Sequence, residues 1–307
     1  MATSTVTKTE PNLLKIDTEV FQHNFPHRGF KVQHNLCDRP EFSLERLVQL
    51  AQRLPEKEVE YFTGKVPVNQ DPRNHPKNGL SIVETVRRIE ENGSWMVLKN
   101  VQVDPEYASL MHGFLEEVYP ECDATFRGIH REEAFIFISS PNSVTPYHLD
   151  EEHNFLLQIR GSKEVSMWDP NDRTVLPEQQ AEYMLQIWHG PDYHRNMGFK
   201  DEFQNRARVF PLSPGEGLHF PVGAPHWVKN GSQVSVSFSV TFRSEQSEKQ
   251  AIIYFVNRKL KSLGLNPTPP LQSPWRDALK YGVFQAGRRI ASIFAGSWLQ
   301  KNQGKWA

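Results

Sequence analysis

The sequence predicts a mainly β fold, a β-sandwich or barrel flanked by helices, and three observations carry that prediction. Between Ala134 and Phe242 the apolar period falls to two, and short runs of this kind are separated by Gly, Pro and Asn turns. Segments with the 3.6-residue period of a helix lie mostly before and after this block, so βαβ alternation is excluded. Seven Trp and 19 Phe call for a thick aromatic core or an aromatic-lined pocket.

Taken in order, residues 1–12 are polar and Ser/Thr-rich and read as a disordered N-terminus. Residues 13–244 read as one domain with its barrel core at about 134–242, and 245–307 as a helical extension. Residues 13–40 mix short apolar pieces with His, Pro and Gly, a pattern of extended, irregular chain. A helix is expected from Ser43 to Leu54, capped by Ser43, with Leu44, Leu47, Val48 and Ala51 on one face. Pro55 to Gly79 reads as loop. Ser81 and Glu84 form a capping box that opens a helix ending near Asn92-Gly93. Trp95–Leu98 is a strand candidate. Asp104-Pro105 starts a third helix that buries Tyr107, Leu110, Met111, Phe114 and Val118.

Strands follow at 134–139, 155–159, 164–168, 207–212, 217–220 and 232–242. Residues 169–206 interrupt them with a long polar insertion, the kind of segment that serves as a lid or binding loop. Helices from Glu245 to Leu263 and from Ser273-Pro274 close the chain. These last helices offer a homodimer interface, packing on the barrel being the alternative.

A net charge of −1 shows no bias toward nucleic acid or an anionic membrane. No targeting signal is read and no apolar run approaches a membrane span. Only two cysteines, Cys37 and Cys122, far apart and without CxxC, suit a reducing, cytoplasmic compartment.

The chemistry concentrates in Thr145–Lys163, TPYHLDEEHNFLLQIRGSK. His148 and Asp150, two apart in an extended segment, face one side and can share a metal ion. The third ligand is sought in Ser213–Gly231. His219 sits inside an apolar strand, whereas His226 follows the tight 221–225 turn, which swings it back to a barrel mouth, so His226 is preferred. Two His and one carboxylate leave adjacent positions open on an octahedral ion, as in non-haem Fe(II) oxygenases. The helical HExxH of zinc hydrolases is absent. Asn154, four residues past Asp150, is placed on the same strand face, with His153 on the opposite one, structural or exposed. Lys163 is a flexible point charge suited to a carboxylate.

Together, Thr145, Pro146, His148, Asp150, Glu151, Asn154, Phe155, Gln158, Ile159, Gly161 and Lys163 resemble the same stretch of the JmjC-type, cupin-like 2-oxoglutarate oxygenases. The likeness is nearest to the asparaginyl hydroxylase group typified by factor inhibiting hypoxia-inducible factor. It covers about 135–242, and PGEGLHFPVGAPHWV resembles the family's second-histidine segment. The resemblance implies a double-stranded β-helix, or jelly roll, with Fe(II) on His148, Asp150 and His226. It further implies 2-oxoglutarate as cosubstrate, anchored by Lys163, 15 residues after His148, and by Thr145. Asn154 and a polar residue of the last strand, with Ser239 chosen over Ser237 and Thr241, complete the cosubstrate site. Dioxygen, succinate and carbon dioxide follow, with hydroxylation of a C–H bond in a peptide or small molecule. Asp at 150 leans toward hydroxylation over demethylation. The alternatives are a cupin-like metal-binding or regulatory protein without turnover, and a cupin enzyme of other chemistry.

Overall fold

The computed structural model describes residues 12–71, 74–122, 126–189, 193 and 197–294. The expected disordered N-terminus therefore lies outside the described residues apart from Asn12. The chain divides into two compact units, one of Met1–Val175 with His194–Arg243 and one of Leu176–Tyr193 with Ser244–Ala307.

The first unit begins with β1 (Leu14–Lys15), α1 (Thr18–Asn24), β2 (Phe30–His34), α2 (Leu44–Arg53), β3 (Val59–Thr63) and α3 (Ile82–Arg87). It continues through β4 (Ser94–Leu98), α4 (Pro105–Val118), β5 (His130–Ser139), β6 (Val144–His148), β7 (His153–Arg160) and β8 (Lys163–Met167). In chain order α5 (Glu178–Met184) of the second unit comes next, and β9 (Arg208–Leu212), β10 (Glu216–Phe220), β11 (His226–Asn230) and β12 (Ser235–Arg243) complete the first.

All pairings are antiparallel and make two sheets, β1-β2-β10-β7-β12-β5-β4-β3 and β6-β11-β8-β9. Leu156, Leu218 and Phe220 of the larger sheet pack with Val165, Phe210 and Val228 of the smaller, so the sheets face one another as a jelly roll. The outer face of the larger sheet carries the main core. There Phe155, Leu157, Val236, Phe238, Val240 and Phe242 meet Leu47, Leu110 and Phe114 of the helices.

Period-two alternation does the sorting. On β12 the Val and Phe residues go to the helix side, while Ser235, Ser237, Ser239 and Thr241 go to the interior between the sheets. The three serines of this polar ladder are satisfied from β7. Gln158 donates to Ser235 Oγ at 3.0 Å and accepts from Ser237 at 2.7 Å, and Ser239 donates to Asn154 Oδ1 at 2.6 Å.

Helices capped by Ser43 and Asp104 form where the caps predict, and both halves of the Ser81/Glu84 capping box are made. Three segments differ from expectation. The Ser81 helix stops at Arg87, not near Asn92, because Thr85 O accepts Asn92 Nδ2 at 2.8 Å while Ile89 N turns to Val86 O. Residues 55–79 contain a true strand, β3, held by five residue pairs with β4. Within 13–40, Asp17 caps α1, whose single buried residue, Phe21, leaves no helical period to read.

In the second unit, α5 joins α6 (Glu245–Ser262) and α7 (Pro274–Phe294). The buried Glu182 carboxylate pairs with Lys261 at 2.7 Å, and the Trp188 ring packs on Phe255 and Phe284. Among the described residues no helix is long and apolar enough to cross a membrane.

Candidate metal and anion site

β6 and β11 pair so that His148 and His226 are register partners at one end of the smaller sheet, with ring centroids 4.1 Å apart. Asp150 follows two residues beyond the end of β6, in the connection to β7. Two ties hold it there. Gly223, at φ 74° in the turn before His226, donates its N–H to Asp150 O at 2.8 Å. Arg243 grips Glu151 and Glu152 at 2.9 and 2.8 Å, which fixes the same connection.

Ligand atoms of His148, Asp150 and His226 lie within 4.8 Å of one another. Each imidazole faces a backbone carbonyl through Nδ1, His148 with Pro146 O at 2.7 Å and His226 with Ala224 O at 2.9 Å. That contact sets the Nδ1–H tautomer and leaves Nε2 as the lone-pair donor, which for His226 lies 3.8 Å from Asp150 Oδ2. Burial, reinforced by His148 and partly opposed by Asp150, lowers the His226 pKa to about 4, so this ring is neutral, as a ligand must be. Two imidazoles and a carboxylate fit a divalent transition metal.

Lys163 opens β8, opposite Asn230 on β11, four residues along that strand from His226. The chain crosses from the larger sheet to the smaller between β7 and β8 at Gly161. Its φ of 68° and its closeness to the Val234 carbonyl admit no side chain. At a rise of ~3.3 Å per residue, about 13 Å of strand separates Lys163 from the His226 end. The lysine is 6% exposed and has no ion pair or hydrogen bond among the described residues. Burial alone lowers its pKa to about 7.

An inner cavity is lined by Thr145, His148, Asp150, Asn154, Lys163 and His226 together with Trp95, Phe137, Ser139, Leu156, Phe220 and Val228. It shares Thr145, His148, Asp150 and Asn154 with an outer cavity of about 580 Å³ that also takes in Ser239 and Thr241. Thus all seven residues singled out in the sequence line one or both cavities. Of the three competing last-strand residues, Ser237 does not line them.

Two expectations change. Asn154 does not continue the strand of His148, which ends before Asp150. It lies near the start of β7 in the other sheet and meets them across the barrel. None of the described residues of the 169–206 insertion lines either cavity, so the lid reading has no support there. Sequence reasoning also missed the aromatic wall. Trp95, Phe135 and Phe137 line it, and their alternation on β4 and β5 is the signal that marks them. His153 and His219, by contrast, lie on the helix side of the larger sheet among Phe25, Phe126 and Phe155.

An antiparallel jelly roll is the cupin architecture, and the mouth of this one brings together two histidines and a carboxylate able to hold a metal ion. The chain belongs to the Cupin-like domain family, whose profile matches residues 34–248. It is 27% identical over 145 residues to HSPB1-associated protein 1 of Bos taurus and 28% identical over 145 residues to that of Rattus norvegicus. Each match covers 45% of this chain but only 29% and 30% of those proteins, so the alignment spans under a third of the curated relatives' length. Among solved structures, YcfD of Escherichia coli is similar in fold, with a TM-score of 0.50 at 20% identity over 85% of this chain and 62% of that one. A further structure of YcfD, described as a ribosomal oxygenase in complex with cobalt and 2-oxoglutarate, gives a TM-score of 0.46 at 19% identity over 85% of this chain and 61% of that one.

Proposed function

We propose that the protein is an Fe(II)- and 2-oxoglutarate-dependent oxygenase that hydroxylates a C–H bond of a peptide, protein or small-molecule substrate, releasing succinate and carbon dioxide. The observation that carries this reading is Lys163, a buried cation with no partner among the described residues, which lines the same cavity as the metal triad. An ammonium stripped of water needs an anion, and a short dicarboxylate spans from such an anchor to a metal. His148, Asp150 and His226 would hold the iron. Lys163 and the Thr145 hydroxyl would bind the distal carboxylate, with Asn154 and Ser239 completing the polar wall.

Bound there, iron and 2-oxoglutarate would together supply the electrons that reduce and split dioxygen. The chain's own contribution is to hold the three donors on one face, neutralise the carboxylate, and keep water out with Trp95, Phe137, Leu156 and Phe220. Within the family, Thr145 and the Lys163 spacing support placement nearest the asparaginyl hydroxylase group. Cys37 and Cys122 are both free thiols, which supports a reducing, cytoplasmic setting. On α7, Trp275, Leu279 and Val283 are 66%, 60% and 63% exposed at four-residue spacing, a stripe that a second copy of the chain would cover to form a homodimer.

The wild-type protein is expected to convert 2-oxoglutarate to succinate with Fe(II) and oxygen, and His148→Ala to form none. Full turnover by that variant contradicts the assignment. Metal binding without succinate formation in the wild type would identify a cupin-like binding protein instead.

A further inference from the structure

Nine serines are buried among the described residues, and eight of them have the hydroxyl in a hydrogen bond. Ser235, Ser237 and Ser239 are bonded to Gln158 or Asn154, and Ser140 donates to Ile89 O. Ser139, 2% exposed, is the ninth and has no partner among the described residues. A buried polar group left unbonded is uncommon and calls for a ligand, an ion or water. Alternation on β5 sends Ala134, Ile136 and Ile138 to the main core and Phe135, Phe137 and Ser139 to the barrel interior. Ser139 pairs there with Ser235, six residues along β12 from Thr241, which pairs with Asn154. Gly161 packs on the Val234 carbonyl just before Ser235, and β8 starts with Lys163 two residues later. Ser139 therefore belongs to the Lys163 end of the barrel. Both residues line the inner cavity and not the outer one, whereas Thr145 and Asn154 line both.

A carboxylate taken out of water presents about four acceptor sites. The Lys163 ammonium and the Thr145 hydroxyl fill part of them, and an unfilled site on a buried charge is costly. A hydroxyl that is already desolvated and unbonded breaks no other bond when it donates to an anion, and such a charge-assisted bond is strong. We propose that Ser139 is a cosubstrate-binding residue, whose hydroxyl donates to the distal carboxylate of 2-oxoglutarate beside Lys163 and makes the inner end selective for a dicarboxylic 2-oxoacid. Trp95, the register partner of Ser139 on β4, lines the same cavity and shields that bond from water. The inference rests on the oxygenase reading and adds to its cosubstrate site a residue that no sequence motif marks.

The test is calorimetry on the full chain loaded with Co(II), which binds a 2-oxoacid without turnover. It compares 2-oxoglutarate with 2-oxobutanoate, which has the same 2-oxoacid head and no distal carboxylate. Ser139→Ala is expected to weaken 2-oxoglutarate about tenfold and to shift 2-oxobutanoate by less than about twofold. In a Lys163→Met background the loss caused by Ser139→Ala should shrink, because both side chains act on one carboxylate. The ligand-free Ser139→Ala protein should melt no lower than the wild type, since the substitution removes no bond. A 2-oxoglutarate titration of Ser139→Ala that overlays the wild type, equal weakening of both ligands, or a melting temperature that falls with the affinity overturns the assignment of Ser139 and leaves the oxygenase reading standing. Failure of the wild type to bind 2-oxoglutarate overturns that reading and this inference with it.

Discussion

Two pairs of histidines occupy the two sides of one barrel. His153 and His219 lie on the helix side, rings 5.6 Å apart, enclosed by Phe25, Phe126, Phe155 and Phe242. His148 and His226 lie at the mouth, rings 4.1 Å apart, with Asp150 and a cavity beside them. Desolvation by burial lowers the pKa of His153, His219 and His226 alike, so a neutral, buried imidazole is not by itself a sign of chemistry. What separates the pairs is the remaining donor set. His219 spends Nδ1 on Arg28 O at 3.0 Å and Nε2 on His153 at 3.4 Å, whereas His148 and His226 spend only Nδ1 on the backbone. His219 has both ring nitrogens engaged, whereas His148 and His226 each keep Nε2 for a shared point.

The largest expected effect exchanges the pairs. His226→Ala should abolish metal uptake measured by native mass spectrometry, while His219→Ala keeps stoichiometric metal and loses about 2–4 kcal/mol of stability. Loss of metal in both variants would erase the distinction. Next comes Lys163→Met. Removing the anchor should weaken 2-oxoglutarate binding by about 2–5 kcal/mol in calorimetry, yet raise the melting temperature of the ligand-free protein, because a desolvated ammonium is replaced by an apolar chain of similar length.

Both regions also respond to pH, in separate windows. For His153 and His219 the folded pKa lies below the ordinary 6.5, for His219 at about 3. Between those values the unfolded chain binds more protons, so stability is full above pH 6.5 and falls as pH drops toward 3. His219→Phe should flatten that slope in denaturant titrations. For Lys163 the folded pKa of about 7 lies below 10.5. Between these the unfolded chain again binds more protons, so ligand-free stability rises with pH across that range. Because a bound carboxylate requires the ammonium, 2-oxoglutarate affinity should fall over the same range, with proton uptake visible in buffers of different ionisation enthalpy. The smallest effect is that of Ser239→Ala, which leaves Asn154 Oδ1 unbonded and should cost about 1 kcal/mol of stability.

Much of this arrangement was legible before folding, for definite reasons. Alternation on β7 and β12 announces two faces, and the Ser237-Phe238-Ser239-Val240 pattern sorts them. Caps at Ser43, Ser81 and Asp104 locate helix starts because one side-chain oxygen decides each of them. The choice of His226 over His219 followed from the turn before it. What was not legible depends on contacts between distant residues. Asn154 faces the His148, Asp150 and His226 triad from the opposite sheet and not along the strand of His148, as local periodicity suggests. Strand β3 shows little alternation and exists by pairing with β4. The 169–206 insertion reads as a lid by length and polarity, yet its Trp188 is committed to Phe255 and Phe284 of the helical unit.

The most direct measurement is an anaerobic titration of the protein with Fe(II) and 2-oxoglutarate, followed by visible absorption. Chelation of the cosubstrate at the triad predicts a weak charge-transfer band in the wild type, its half-saturation moved to much higher 2-oxoglutarate in Lys163→Met, and no band in His226→Ala. A wild-type protein that binds iron but gives no band at saturating 2-oxoglutarate, or a Lys163→Met titration that overlays the wild type, would contradict the account.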